Sequence, residues 1–267
     1  MSTSTKSNSW SHPFPPSRSL PLLLSSDSWE WNRSSRRDFW IGTDLDGMQW
    51  LVKIRGGFRA ARERAFSIIA QALGISCQSS TFVKLSSKCL PRHLNEYADP
   101  IHSAIIFLDE HPEGRCSDDC PIDGLNLKFN SSPYDVTLLP NLGITDAIDW
   151  ARGEMLGMLC NQFEPPGALI TRQHMFIQID NELMFSKGEA DLFECYWVSK
   201  AKGRLRQAGT TEAIRLCEQI LSLPDAVFEE ALRTPRGALR NAPWSLRREV
   251  MGVRGRAQSF LSRVCII

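Results

Sequence analysis

Trp50-Leu-Val-Lys-Ile-Arg55 is the stretch on which the fold turns. Its aromatic and β-branched residues favour a strand, and a strand sends successive side chains to opposite faces. Trp50, Val52 and Ile54 then share one face, while Leu51, Lys53 and Arg55 share the other. Upstream, Phe39-Trp-Ile-Gly-Thr43 is a second β-prone run, and Asp46-Gly47 between the two is a hairpin signal. Gly56-Gly57 ends the second strand. From Arg59 the apolar positions Ala65, Phe66, Ile69, Ala70 and Leu73 recur at helical spacing, and Gly74 closes that helix. Glu63 falls near its first turn, ten residues after Lys53.

Further along, Thr81-Phe-Val-Lys-Leu85 and Ser103-Ala-Ile-Ile-Phe-Leu108 read as two more strands. Residues 109–142 are loop-rich. Thr145 to Gln162 reads as a buried helix capped by Thr145 or Asp146, with Met155, Leu156, Met158 and Leu159 on its apolar surface. Ala168-Leu-Ile-Thr171 and Phe176-Ile-Gln-Ile179 form an expected hairpin that delivers Asp180, within Ile179-Asp-Asn-Glu-Leu-Met-Phe185. The remainder is helical: Thr211–Leu221, Pro224–Arg233, and a basic helix from Pro243 to about Arg263. Residues 1–35, rich in Ser and Pro, read as a mostly disordered arm, although Trp10, Phe14, Trp29 and Trp31 sit within it.

Bulk properties narrow the classes. With 42% hydrophobic and 23% charged residues, the 267-residue chain is globular and long enough for two parts sharing a cleft. A net charge of +1 gives no global attraction to nucleic acid or membrane. Charge is uneven, however: residues 201–267 carry twelve Lys and Arg against six acids. That reads as a solvated face or as a site for an anionic partner. No window is apolar over the length of a membrane span, and Leu20-Pro-Leu-Leu-Leu24 is too short for a signal peptide core. Cys160, Cys195 and Cys217 lie in apolar stretches and read as buried thiols, so a cytoplasmic location is expected.

A lysine on a strand, a glutamate on the following helix and an acid after a distant strand is how kinase-like folds hold Mg·ATP. The residues around these positions resemble the HipA-like kinases, bacterial atypical Ser/Thr kinases, and in particular their short subgroup. The resemblance runs through Trp50-Leu-Val-Lys-Ile-Arg-Gly56, Arg62-Glu-Arg64, Ala72-Leu-Gly-Ile75, Asp149-Trp-Ala-Arg152, Cys160-Asn161 and Ile179 to Phe185, over residues 36–262. It implies a two-lobed, kinase-like α+β fold, with an N-lobe over 36–110 and a helical C-lobe over 111–267. It implies ATP and Mg²⁺ as cofactors and a protein hydroxyl as substrate. Lys53 would pair with phosphate oxygens, Glu63 would orient Lys53, Asp180 would hold the metal, and Gly42 is the one glycine placed to serve a phosphate loop.

In the family a catalytic Asp lies a few residues before a metal-binding Asn. Here Glu164 takes the place of the Asp, and Ala168 falls at or near that of the Asn. Asn161, which precedes Glu164, is the nearest amide and the candidate metal ligand. A longer acid and a missing ligand leave two readings: an ATP-dependent protein Ser/Thr kinase, active or slow, or a nucleotide-binding pseudokinase that acts as a scaffold or interaction module.

Each residue taken alone has an ordinary reading. Lys53 is then an edge-strand lysine, Glu63 a first-turn helix acid, Asp180 a turn acid and Glu164 a loop acid beside two prolines. His111, Cys116 and Cys120 make an incomplete zinc set. Arg247, Arg248, Arg254, Arg256 and Arg263 lack interleaved aromatics, so a nucleic-acid partner is not expected of the last helix.

Overall fold

Strand pairing in the N-terminal part is built around the lysine strand. The computed structural model describes residues 20–33, 39–54, 56–75, 77, 79–85, 101–106, 144–161, 167–170, 176–179, 184–185, 203–238 and 243–264. Among these, six strands form one sheet: β1 (Leu23–Ser25), β2 (Glu30–Arg33), β3 (Phe39–Thr43), β4 (Gln49–Lys53), β5 (Ser80–Lys84) and β6 (Ile101–Ile106). Their spatial order is β1-β5-β6-β4-β3-β2. The β4 strand is central, antiparallel to β3 with Val52 opposite Trp40, and antiparallel to β6 with Lys53 opposite Ser103. Helix α1 (Gly57–Ala72) connects β4 to β5.

The expected alternation along β4 holds. Val52 and Ile54 face a cluster containing Trp29, Trp40, Trp50, Val83 and Leu85. Trp29 stacks on Trp50 with ring centroids 5.9 Å apart, and Trp31 tilts against Trp29 at 5.6 Å. Lys53 lies on the opposite face of the sheet.

The stretch 1–35, read as a disordered arm, contributes β1 and β2. This corrects the composition-based expectation. The strands are three and four residues long, and each is made by its neighbour: β1 pairs in parallel with β5, and β2 pairs antiparallel with β3. Thr81 Oγ1 also donates to the carbonyls of Pro21 and Leu22, which fixes the entry to β1. Contacts of this kind leave no local periodicity to read. Residues 1–19 and 34–38 are not among those described.

Among the described residues the second part is helical, with one small hairpin. Helix α2 (Ile144–Leu159) leads to β7 (Gly167–Ile170) and β8 (Phe176–Ile179), which pair antiparallel. Helices α3 (Gly203–Ser222), α4 (Asp225–Ala231) and α5 (Pro243–Val264) follow. Their positions match the expected helices, except that α3 begins eight residues earlier than its apolar pattern suggested. A single large core joins α1 to them. Phe66 and Ile69 of α1 share it with Met155, Leu159, Leu216, Phe228 and Phe260, all completely or almost completely buried. No described helix is long and apolar enough to cross a membrane.

A chain beginning at residue 36 loses β1, β2, Trp29 and Trp31. We expect its unfolding free energy in urea to fall by about 3 kcal/mol or more relative to the full chain, from the lost burial of Trp29 alone plus its ring contacts. Equal urea midpoints for the two chains would show that these strands add nothing to the sheet.

Candidate functional site

Lys53 and Glu63 meet inside the protein. Lys53 Nζ lies 2.6 Å from Glu63 Oε1, and each side chain is only 3% exposed. Removing both charges from water costs several kcal/mol per ion, and only close, well-directed contact returns it. A buried pair of this kind is therefore a poor way to gain stability. It is the way to fix an ammonium group in one place.

The linker between the two residues is built to hold that geometry. Gly56 has φ 80 and ψ 160, a conformation that a side chain makes costly. Its N–H donates to His102 Nδ1 at 3.2 Å, so the imidazole of β6 holds the turn between strand and helix. At Gly57 a Cβ would run into the backbone of Ala238. The sequence pattern marked the two glycines but carried no signal for His102, 46 residues away.

Gly42 does not border a loop. It sits within β3 opposite Trp50, and a Cβ there would collide with the Trp29 ring. Packing accounts for this glycine. The hairpin tip that follows it is closed on itself. Asp44 Oδ1 accepts from the N–H groups of Asp46 (3.0 Å) and Met48 (2.9 Å), and Oδ2 accepts from Trp50 Nε1 (2.8 Å). The N–H of Gly47 donates to the Asp44 carbonyl. Three successive amides are thus already engaged. In a phosphate-binding loop such amides point outward at the anion.

The end of α2 meets α5 at a second buried polar group. Asn161, 4% exposed and with φ 54, donates from Nδ2 to Glu249 Oε2 at 2.7 Å. Its Oδ1 has no hydrogen-bond partner among the described residues. Arg256 bonds the same carboxylate at 3.3 Å and the Leu159 carbonyl at 2.6 Å. Burial and the neighbouring Arg59 charge lower the Arg62 pKa, and the Glu249 charge opposes them. The Phe185 N–H donates to the Cys160 carbonyl at 2.6 Å. That bond brings the end of the Ile179–Phe185 run against the end of α2.

Asp180 and Glu164 lie outside the described residues. The structure therefore brings together Lys53 and Glu63, sets Asn161 at the end of α2, and gives Gly42 to the tryptophan cluster. Ala168 sits in β7 opposite Gln178. The His111, Cys116 and Cys120 set also lies outside the described residues, among which no group of three or more His, Cys, Asp or Glu could hold a metal ion. Cys160 and Cys217 are buried as expected. Burial pushes each thiol up to about 12, so neither supplies a thiolate nucleophile at neutral pH. Arg254 bonds Asp225 and the Leu223 carbonyl and stacks on Phe228, and Arg248 bonds Glu249. Much of the basic face of the last helix is thus committed within the chain.

Comparison with solved structures agrees with this architecture. The chain is similar to the proinflammatory kinase CtkA of Helicobacter pylori, with a TM-score of 0.52, 9% identity, and coverage of 92% of this chain and 99% of that one. It also matches the Golgi casein kinase, with a TM-score of 0.45, 10% identity, and coverage of 88% and 70%. A Golgi casein kinase structure with Mn/ADP bound gives a TM-score of 0.42 at 12% identity, with coverage of 88% and 73%. No family model and no curated protein matches the sequence. The fold is protein-kinase-like, mixed α+β, with the lysine strand and glutamate helix in the N-terminal part.

Breaking the ion pair from one side leaves a buried charge without its closest counter-charge. Lys53→Met and Glu63→Leu are each expected to destabilise by about 3–5 kcal/mol, and the double variant by clearly less than their sum. Urea unfolding of the four proteins measures this. Additive losses would mean that the two groups do not depend on each other.

Proposed function

We propose that this chain binds Mg·ATP in the cleft beside Lys53 and transfers phosphoryl groups slowly to a protein Ser or Thr hydroxyl, in the manner of the HipA-like kinases it resembles. The observation that carries the reading is the buried Lys53–Glu63 contact at 2.6 Å. An ammonium group held this firmly is suited to phosphate oxygens, whose charge it meets without rearrangement. The kinase-like fold supports the same reading.

Lys53 would hold the phosphate chain, with Glu63 keeping its Nζ in place. Asp180 would ligate the metal through its carboxylate. Asn161 would add its Oδ1, the atom of that side chain not already used on Glu249, and a neutral oxygen donor of this kind suits a hard cation. Glu164 would take the proton from the substrate hydroxyl as that oxygen bonds to the γ-phosphorus and ADP leaves. Bound Mg·ATP supplies the transferable phosphoryl group and a metal charge that offsets the charge developing on it. The long Glu164 side chain and the apolar Ala168 make the proposed rate low.

A second reading rests on the hairpin tip. Because Asp44 engages the amides of Asp46 and Met48, the hairpin offers the phosphates little. This favours a pseudokinase that binds nucleotide weakly and works as a scaffold for a protein partner.

Calorimetry of ATP binding to the full chain, with and without Mg²⁺, tests the cleft. Radiolabel transfer to protein substrates then tests turnover. We expect metal-dependent binding, and a fall in transfer of about a hundredfold or more in Lys53→Ala. Metal-dependent binding without transfer selects the scaffold reading. No binding at millimolar nucleotide would reduce the ion pair to a structural element.

A further inference from the structure

Arg64 follows Glu63 directly and points the other way. Its side chain is 5% exposed and reaches α4, 166 residues away in sequence. Nη2 bonds Glu230 Oε1 at 2.5 Å, and Nη1 bonds the carbonyls of Glu230 (2.8 Å) and Arg233 (3.3 Å). These carbonyls lie at and just past the C-terminal end of α4, where the partial negative charge favours a cation; that of Glu230 also accepts from the Arg233 N–H at 3.1 Å. Burial raises the Glu230 pKa, but hydrogen bonds from Arg233 and Arg64 outweigh it and hold the carboxyl below its ordinary range.

Consecutive residues on a helix are about 100° apart. A guanidinium held by three acceptors therefore sets the angle at which its neighbour, about 100° round the helix, leaves it. We propose that Arg64 is a positioning residue for the Lys53–Glu63 pair: anchored on the end of α4, it fixes the rotation and depth of α1 so that Glu63 meets Lys53.

Two further contacts act in the same sense. The start of α1 abuts Ala238 through Gly57, and Arg152 of α2 donates to the Leu73 carbonyl just past its other end. Helix α1 is thus fixed along its length by elements from the C-terminal part. The chain holds its own glutamate helix engaged, and assembly of the pair requires no separate partner. The consequence for nucleotide binding rests on the function proposed above. The positioning itself does not.

The test reads Lys53 directly. Full-length protein is acylated with an amine-reactive ester under conditions where each variant is folded by circular dichroism. Modification of Lys53 is measured by mass spectrometry relative to exposed Lys84. In the parent protein Lys53 reacts slowly. Glu63→Gln is expected to raise the Lys53:Lys84 ratio roughly tenfold or more, because the amine loses the carboxylate charge that favours its protonated form. Arg64→Met is expected to raise it to a similar extent, and Arg64→Lys to a smaller one, since an ammonium group cannot span three acceptors.

A purely structural Arg64 would lower the melting temperature of Arg64→Met and leave the ratio at the parent value, and that result overturns the proposal. If Arg64→Met does not fold, Glu230→Gln is read in the same way: a raised ratio supports the proposal and an unchanged one overturns it. If Glu63→Gln leaves the ratio unchanged, the ion pair does not protect Lys53 and the proposal falls. Calorimetry with Mg·ATP on the parent protein is scored separately. Absence of binding there would remove the kinase reading while the labelling result for Arg64 stands.

Discussion

Burying one ammonium–carboxylate contact is the constraint on which the rest of this structure depends. Lys53 and Glu63 are almost wholly withdrawn from water, so any error in their placement leaves charge without compensation. The surroundings are arranged accordingly. A central strand gives Lys53 neighbours on both sides, and His102 holds the linker. Arg64 ties the helix to α4, and Arg152 ties its end to α2. His102 and Arg64 are buried and Arg152 partly so, and the bonds described for each are made within the chain.

The central part of this arrangement was legible in the sequence because it obeys local periods. Alternation placed Lys53 opposite the Trp50–Val52–Ile54 face, helical spacing placed Glu63 on the next element, and Asp-Gly marked the hairpin. What escaped the reading was made by distant partners. The strand Leu23–Ser25 exists because β5 offers it an edge, and Ser/Pro-rich composition gave no hint of that. No local pattern singles out Arg64, because the acceptors that define it lie 166 and 169 residues away. Gly42 was chosen as the glycine nearest the expected phosphate loop. Its neighbour in space, Trp29, comes from the stretch that had been set aside. Asp180 and Glu164 lie outside the described residues, so their part of the reading still rests on the sequence resemblance.

The hairpin and the ion pair pull the functional reading in different directions. A fixed ammonium group is a device for anions, whereas a turn whose amides are bound by its own Asp44 has already been given one.

The two hydrophobic clusters also differ in when they can close. The tryptophan cluster draws on residues between 20 and 85, on a sheet that β6 completes, so it can form once the chain to residue 106 is available. The cluster behind α1 needs Phe228, Val250 and Phe260. During synthesis from the N-terminus, the apolar side of α1 must wait for almost the whole chain to emerge, and until then Phe66 and Ile69 have no permanent cover. A ribosome-bound nascent chain would thus carry a finished sheet and an unfinished helix surface. This interval is when chaperone contact is most needed, and premature termination anywhere before α5 would leave a surface prone to aggregate.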